Sequence, residues 1–261
     1  MNALLPAALK NSKCILHIDL DCFYCQVEQV RLGIPFDVPL AVQQWQNLIA
    51  VNYAAREFGI QKMTTLQEAQ KKCPTIRLIH VATYGPNDTE PQYHSNPDRS
   101  THKVSLDVYR AASREIFKIF AQHVNIIQKI GTDEGFMDVT ELVNERLIER
   151  YIKQNPTHGY IDHEVCDIEM DWDSLGYTVK SQQEETDGQW APTTWRDLQL
   201  ALGAELAAEI RKEVYDKLHY FCSAGIAHSK VLAKLCSSRN KPNKQVYIHT
   251  YNTVILIIKQ W

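Results

Sequence analysis

Two short stretches of the chain end apolar runs in acid. Cys14-Ile-Leu-His-Ile-Asp-Leu runs into Asp19 and Asp21, and Asp133-Glu134 lies between Gly131 and Gly135. Acidic residues at strand ends are common, and neither stretch alone says much. Several carboxylates converging from separate strands, with cations nearby to hold a polyphosphate, are what a two-metal phosphoryl- or nucleotidyl-transfer site needs. The cations are present. Phe221 to Gln245 carries Lys230, Lys234, Arg239, Lys241 and Lys244 and no acid. Two like charges about 4 Å apart repel by roughly 4 kcal/mol at an effective dielectric near 20. Three converging carboxylates therefore call for divalent ions between them. Adjacent residues on a regular strand face opposite ways. Asp133 and Glu134 can serve one site only from a turn or irregularity, which the flanking glycines permit. Asp21 suits the cap of a following helix and ranks below Asp19.

The elements that would position these groups follow from periodicity. The run ending at Asp19 reads as a buried strand. Asp21 then caps a helix with Tyr24, Val27 and Val30 on one face, stopped near Gly33 and Pro35. Leu40 to Gln44 and Leu48 to Asn52 read as strands joined by a hairpin at Trp45-Gln-Asn. A short helix from Tyr53 ends at Gly59, and another runs from Thr65 to Lys72. Arg77 to Val81 is strand-like, and residues 84–102, with three prolines, read as a long exposed loop. Val104 to His123 is the clearest amphipathic helix. Short strands at 125–130 and 135–139 flank Thr132-Asp133-Glu134. An acidic stretch at about 150–190 reads as a solvated insertion. An amphipathic helix at 195–215, a strand at 221–226 and a helix at 230–236 follow. This order predicts an α+β fold with one subdomain inserted in the other.

Composition bounds the rest. The chain has 261 residues, 44% of them hydrophobic and 23% charged, as in ordinary globular proteins. No uncharged apolar stretch of about 18 residues appears, so no membrane-spanning segment is expected. The N-terminus lacks the pattern of a secretory signal. Seven scattered cysteines suit reduced thiols in a cytosolic or nuclear compartment. The net charge of −3 hides segregation: residues 161–190 hold nine acids and one lysine, against the acid-free basic segment near the C-terminus.

The motifs together resemble those of Y-family translesion DNA polymerases, with the eta branch the best fit. His17-Ile-Asp-Leu-Asp-Cys-Phe-Tyr-Cys-Gln-Val-Glu-Gln is similar to the family's first motif. Thr132-Asp-Glu-Gly-Phe-Met-Asp is similar to the second, and Cys222 through Gln245 to the third. Ala41-Val-Gln-Gln-Trp and Ile49 to Ile60 resemble the fingers segments, so the likeness covers about residues 13–246. It implies a ferredoxin-like polymerase palm at 11–24 and 96–246, with a small α/β fingers subdomain at 25–95 inserted. It implies two Mg²⁺ ions, with Mn²⁺ able to substitute, held by Asp19, Asp133, Glu134 and the Leu20 carbonyl. Tyr53, Arg56 and Lys241 would hold the incoming triphosphate, Tyr24 would exclude a ribose 2′-hydroxyl, and Gln44 would touch the nascent base pair. The reaction implied is template-dependent nucleotidyl transfer on primer–template DNA from a deoxynucleoside triphosphate, in the nucleus.

The departures from the family pattern carry their own expectations. Tyr24 stands where eta-type enzymes have phenylalanine, and Lys62 replaces a fingers arginine, which weakens a nucleotide-binding role there. Gly131-Thr132 stands where a serine plus an aliphatic residue is usual. Cys22 and Cys25 have redox spacing, but helix packing fits their place in the first motif better. The family's thumb and little finger have no counterpart, residues 247–261 read as a divergent tail, and sliding-clamp and ubiquitin contacts would go with the missing regions. Two alternatives remain: a fragment without enough DNA grip for turnover, and another two-metal palm enzyme such as a nucleotide cyclase.

Overall fold

In the computed structural model the described residues are 5–154, 168, 170–179 and 194–248. They form a mixed α+β structure with seven α-helices, and the chain divides into two compact units. The first comprises residues 1–19, 119–217 and 222–261; the second comprises 20–118 and 218–221. No helix among the described residues is long and apolar enough to cross a membrane.

The first unit is built on a six-stranded sheet. Its strands are β1 (Ile15–Leu20), β7 (Ile127–Lys129), β8 (Glu134–Asp138), β9 (Tyr177–Val179), β10 (Cys222–Ala227) and β11 (Gln245–Ile248), in the order β7-β8-β1-β10-β11-β9. β8 runs antiparallel to both β1 and β7, whereas β11 runs parallel to β10 and β9. β1 and β10 are buried almost throughout, and the polar His17 and Ser223 they carry are themselves fully enclosed. Helix α6 (Trp195–Leu218) is buried on all sides from Asp197 to Ala204. A Cβ on Gly203 would lie 2.5 Å from Cys14 Sγ and 3.1 Å from Ile226 Cγ2, so this helix sits directly on the sheet. The helix expected to be amphipathic is therefore enclosed in its first half.

The second unit carries a three-stranded sheet, β3-β2-β4, from β2 (Leu40–Gln44), β3 (Asn47–Val51) and β4 (Arg77–His80). Ala41, Leu48, Val51, Ile60 and Ala69 pack beneath it, with helices α2 (Tyr53–Arg56) and α3 (Leu66–Lys72). Asn52 joins strand to helix: its Oδ1 accepts from Ala55 N at 2.9 Å and Leu40 N at 3.0 Å, while Nδ2 donates to Val38 O at 2.8 Å.

Several expectations are corrected. The cap of α1 (Phe23–Leu32) is Cys22 at φ 40°, with no side-chain cap bond, not Asp21, which lies buried one residue earlier. The buried side of α1 includes Gln26, Glu28 and Gln29, so apolar periodicity alone misplaced its face. The 84–102 loop is tied at its base: Thr83 and Gln92 exchange backbone bonds of 2.8 Å, and β5 (Thr83–Tyr84) pairs with β6 (Lys103–Val104). Because Val104 belongs to that ladder, α4 begins at Asp107 and runs to His123. The supposed solvated insertion starts inside α5 (Thr140–Gln154), which buries Val143, Leu147, Ile148 and Tyr151, and returns as β9 at the sheet edge. Most of its remainder lies outside the described residues. Tyr247 and Ile248, read as the start of the tail, are buried in β11, and 249–261 lie outside the described residues.

Candidate metal and phosphate site

Register decides the first feature. In the β1–β8 ladder Asp19 pairs with Glu134, and His17 with Phe136. Cross-strand partners in an antiparallel pair project to one face with Cβ atoms about 5 Å apart. Asp19, Glu134, His17 and Phe136 therefore share a face. Glu134 begins the strand and is not in the turn that the sequence suggested; Asp133 precedes it on a bend, half-buried. The bend leaves Asp133 outside the pleat that sets the facing of Glu134.

Helix α7 (Lys230–Ser238) brings the cations. Its Ser229 cap accepts from Leu232 N at 3.4 Å, and the helix rests on β10 at Gly225, where a Cβ would lie 1.9 Å from Ala233 O and 2.4 Å from Ser237 N. Lys234 Nζ donates to both Glu134 carboxylate oxygens at 2.9 Å. Lys241, just beyond the helix, reaches Asp19 Oδ1 at 2.5 Å. Each of these two opposed carboxylates thus has a lysine as counter-ion. Partial burial pushes the Glu134 carboxyl up, but the Lys234 bonds and charge, with His17, outweigh it and hold it below its usual range. His17 is fully buried; desolvation lowers its pKa against the pull of Glu134 and Asp19.

The donor set suits a hard divalent cation. Carboxylate oxygens are the hard donors that Mg²⁺ or Mn²⁺ accepts, once the lysines on them give way. No three His, Cys, Asp or Glu side chains among the described residues are gathered as a ready ligand shell. Asp19 and Glu134 are seated on lysines, and Leu20, whose carbonyl was the further expected ligand, closes β1 with its side chain buried.

The other expected residues fall in the second unit. Tyr24 stacks on Tyr109, with ring centroids 4.0 Å apart and planes 12° from parallel. Tyr109 and Tyr93 each donate a 2.8 Å hydrogen bond to Glu28 Oε1, and Arg31 pairs with Oε2 at 2.6 Å, so the ring against Tyr24 is anchored by a fully buried carboxylate. Arg56 holds its guanidinium 4.4 Å above the Tyr53 ring and donates Nε–H to Val51 O at 3.0 Å. Gln44 borders a cavity of about 840 Å³ lined also by Trp45, Ile49, Met63, His80 and Arg99. Lys62 is exposed on the turn before α3. Cys25 is buried with Sγ 3.8 Å from Leu40 O, and none of the six described cysteines is in a disulfide.

The sequence pattern does not single out His17 or Ser237, and it offers Lys234 only as one of five cations in the acid-free segment. Counting back two from Asp19 along the strand places His17 on the same face, and Lys234 and Ser237 are three apart on α7, hence on one side of it.

Residues 18–238 match the impB/mucB/samB family. The chain belongs to that family, the Y-family polymerase group its motifs resembled. It is 34% identical over 263 residues to DNA polymerase eta of Saccharomyces cerevisiae, covering 90% of this chain and 42% of that protein. It is 28% identical over 243 residues to DNA polymerase iota of Mus musculus, covering 93% and 28%. It is also 39% identical over 246 residues to the N-acetyltransferase eso1 of Schizosaccharomyces pombe, covering 93% and 28%. The chain spans between about a quarter and a half of these relatives' lengths, and with 28% covered the acetyltransferase activity in the last protein's name does not carry over to this segment.

Proposed function

We propose that the chain is the palm and fingers part of an eta-like translesion DNA polymerase. It transfers a nucleotide from a deoxynucleoside triphosphate to a primer 3′-hydroxyl and releases pyrophosphate. The observation that carries the reading is the pairing of Asp19 with Glu134 across β1 and β8, each with a lysine from the acid-free segment on its carboxylate. On this reading the first unit is palm and most of the second is fingers.

Asp19, Asp133, Glu134 and the Leu20 carbonyl would hold two Mg²⁺ ions. The ions supply charge neutralisation at the transferring phosphate and favour the ionised primer hydroxyl. Around them the chain's own groups bind and orient. Lys241, released from Asp19, gives a compact positive charge to the triphosphate, and Arg56 offers a planar fork for its oxygens. The Tyr24 ring, held flat on Tyr109, closes the space a ribose 2′-hydroxyl would need. Gln44 faces the nascent base pair from the edge of its cavity. Lys62, exposed and without a guanidinium plane, contributes charge alone. Primer–template DNA and the nuclear compartment belong to the same proposal, with clamp and ubiquitin contacts assigned to regions outside this chain.

Primer extension with the Asp133→Ala, Glu134→Ala double variant tests the site. It should abolish extension at a cost of no more than about 1 kcal/mol in urea unfolding; undiminished extension would refute the assignment. The same assay separates a second reading, a metal site whose duplex grip is too weak for turnover. Duplex affinity falls steeply as fewer backbone phosphates are neutralised. That reading predicts metal-dependent nucleotide binding without extension. A cyclase would consume nucleoside triphosphate with no primer–template present.

A further inference from the structure

His17 is fully buried two residues before Asp19, with its ring 4.6 Å from that of Phe136. Nδ1 lies 2.7 Å from Ser237 Oγ, and Nε2 lies 3.1 Å from Glu134 Oε2. Ser237 Oγ is also 2.9 Å from Lys234 O. A hydroxyl has one hydrogen to give. If Ser237 gives it to Lys234 O, then Nδ1–H of His17 donates to Ser237 and a bare Nε2 faces a carboxylate. In that arrangement Nε2 is the one buried side-chain polar atom among the described residues without a hydrogen bond. If Ser237 gives its hydrogen to Nδ1, the proton sits on Nε2 and can be donated to Glu134. A buried polar atom left unmatched is costly, and a bond to a charged acceptor is among the stronger ones.

We propose that His17, as the Nε2–H tautomer backed by Ser237, is a positioning residue that fixes the Glu134 carboxylate for a divalent ion. The inference rests on the reading of Glu134 as a metal ligand. The two partners of Glu134 differ in kind. Lys234 has a half-exposed side chain and can withdraw into solvent when an ion arrives. The His17 ring is enclosed, packed on Phe136 and tied to α7, and it stays. Holding one oxygen from behind leaves that oxygen's second lone pair, and the other oxygen, for the ion. Carboxylate ligands are commonly held by such outer hydrogen bonds, and removing one typically costs 10- to 100-fold in metal affinity.

The test measures Mn²⁺ binding by electron paramagnetic resonance, with a non-hydrolysable deoxynucleoside triphosphate analogue present, on the full chain. Urea unfolding is measured without metal. His17→Leu should weaken Mn²⁺ binding about tenfold while the metal-free unfolding midpoint holds, because leucine packs on Phe136. His17→Gln, which keeps a donor, should regain most of the affinity, and Ser237→Ala should lose a few-fold. Wild-type affinity in His17→Leu overturns the proposal, as does an equal loss in His17→Gln with a lowered unfolding midpoint. Glu134→Gln separates the two layers. If it loses Mn²⁺ while His17→Leu does not, only the role of His17 fails. If it binds like the wild type, or the wild type binds no Mn²⁺, the metal-ligand reading fails and this one with it.

Discussion

Gly225 should be irreplaceable, and the cost of replacing it can be worked from the helix it touches. An added methyl would sit 1.9 Å from Ala233 O, 2.4 Å from Ser237 N and 2.9 Å from Cys236 Cβ. Two of these are backbone atoms inside α7 and cannot rotate aside. The whole helix would have to retreat by about 1 Å. Overpacking of this kind costs about 1–3 kcal/mol, and with no flexible side chain to absorb it, Gly225→Ala should lie near 3 kcal/mol. The same retreat carries Lys234 and Ser237 away from Glu134 and His17, and a 1 Å misplacement at a reacting centre costs about 100-fold in rate. Urea unfolding with an unchanged slope, alongside primer extension, reads both numbers. Gly203→Ala is the control. Its methyl meets the side-chain atoms Cys14 Sγ and Ile226 Cγ2, which can shift, so its cost should be about 1 kcal/mol, with extension little changed. A Gly225→Ala chain within about 1 kcal/mol of wild type and fully active would refute the argument that close helix–strand approach sets the site.

Tyr24→Ala should let the chain incorporate ribonucleotides; unchanged sugar discrimination in primer extension would remove the gate role. Glu28→Ala should destabilise by about 2–4 kcal/mol in urea unfolding, since it leaves the Tyr93 and Tyr109 hydroxyls around a buried vacancy while the exposed Arg31 turns to water; a loss below about 1 kcal/mol would mean water replaces the carboxylate. Asp138 is partly buried, which raises its pKa, but bonds from Thr140 and the charge of Lys13 hold it below its usual value. A depressed carboxylate stabilises the fold above its unfolded pKa of about 4 and loses that contribution as pH falls through the folded value. Asp138→Asn, which keeps the oxygen that accepts from Thr140 but loses the charge, should therefore cost about 0.5 kcal/mol at pH 7 and flatten the loss of stability below about pH 4; an acid limb parallel to wild type would contradict this.

What was legible in the sequence was legible for physical reasons. β1 and β10 are apolar runs bounded by charge and polar turns, and α3 carries its cap in Thr65 and its stop before Pro74. The helix beginning at Asp107 shows the 3.6 spacing of Ile116, Ile119 and Phe120. Misreadings arose where polar residues do core work. Gln26 bonds the carbonyls of Asp21 and Phe221 and Gln29 that of Pro35, while Glu28 gathers two tyrosines and an arginine, so a buried helix side looked like a wet one. The first half of α6 looked amphipathic because Asp197 and Gln199 interrupt it, yet both are buried: Asp197 accepts from Thr194, and Gln199 bonds Ser12 and Asn144. No pattern of period two or 3.6 encodes such long-range pairs.

The site was half legible for a related reason. Spacing identified the acids and the basic segment, but only the register Asp19↔Glu134 shows that one acid from each motif meets across two strands. Two like charges at cross-strand distance need compensation whether or not an ion is bound, and the lysines supply it. On the proposed reading this has a functional consequence. A divalent ion entering between the carboxylates must displace Lys234 or Lys241 from them, and the displaced ammonium then needs an anion. A triphosphate arriving with the ion provides one, so metal and nucleotide should each tighten the other's binding. His17 takes no part in that exchange because it is enclosed, and so the carboxylate geometry can persist while its counter-ions change.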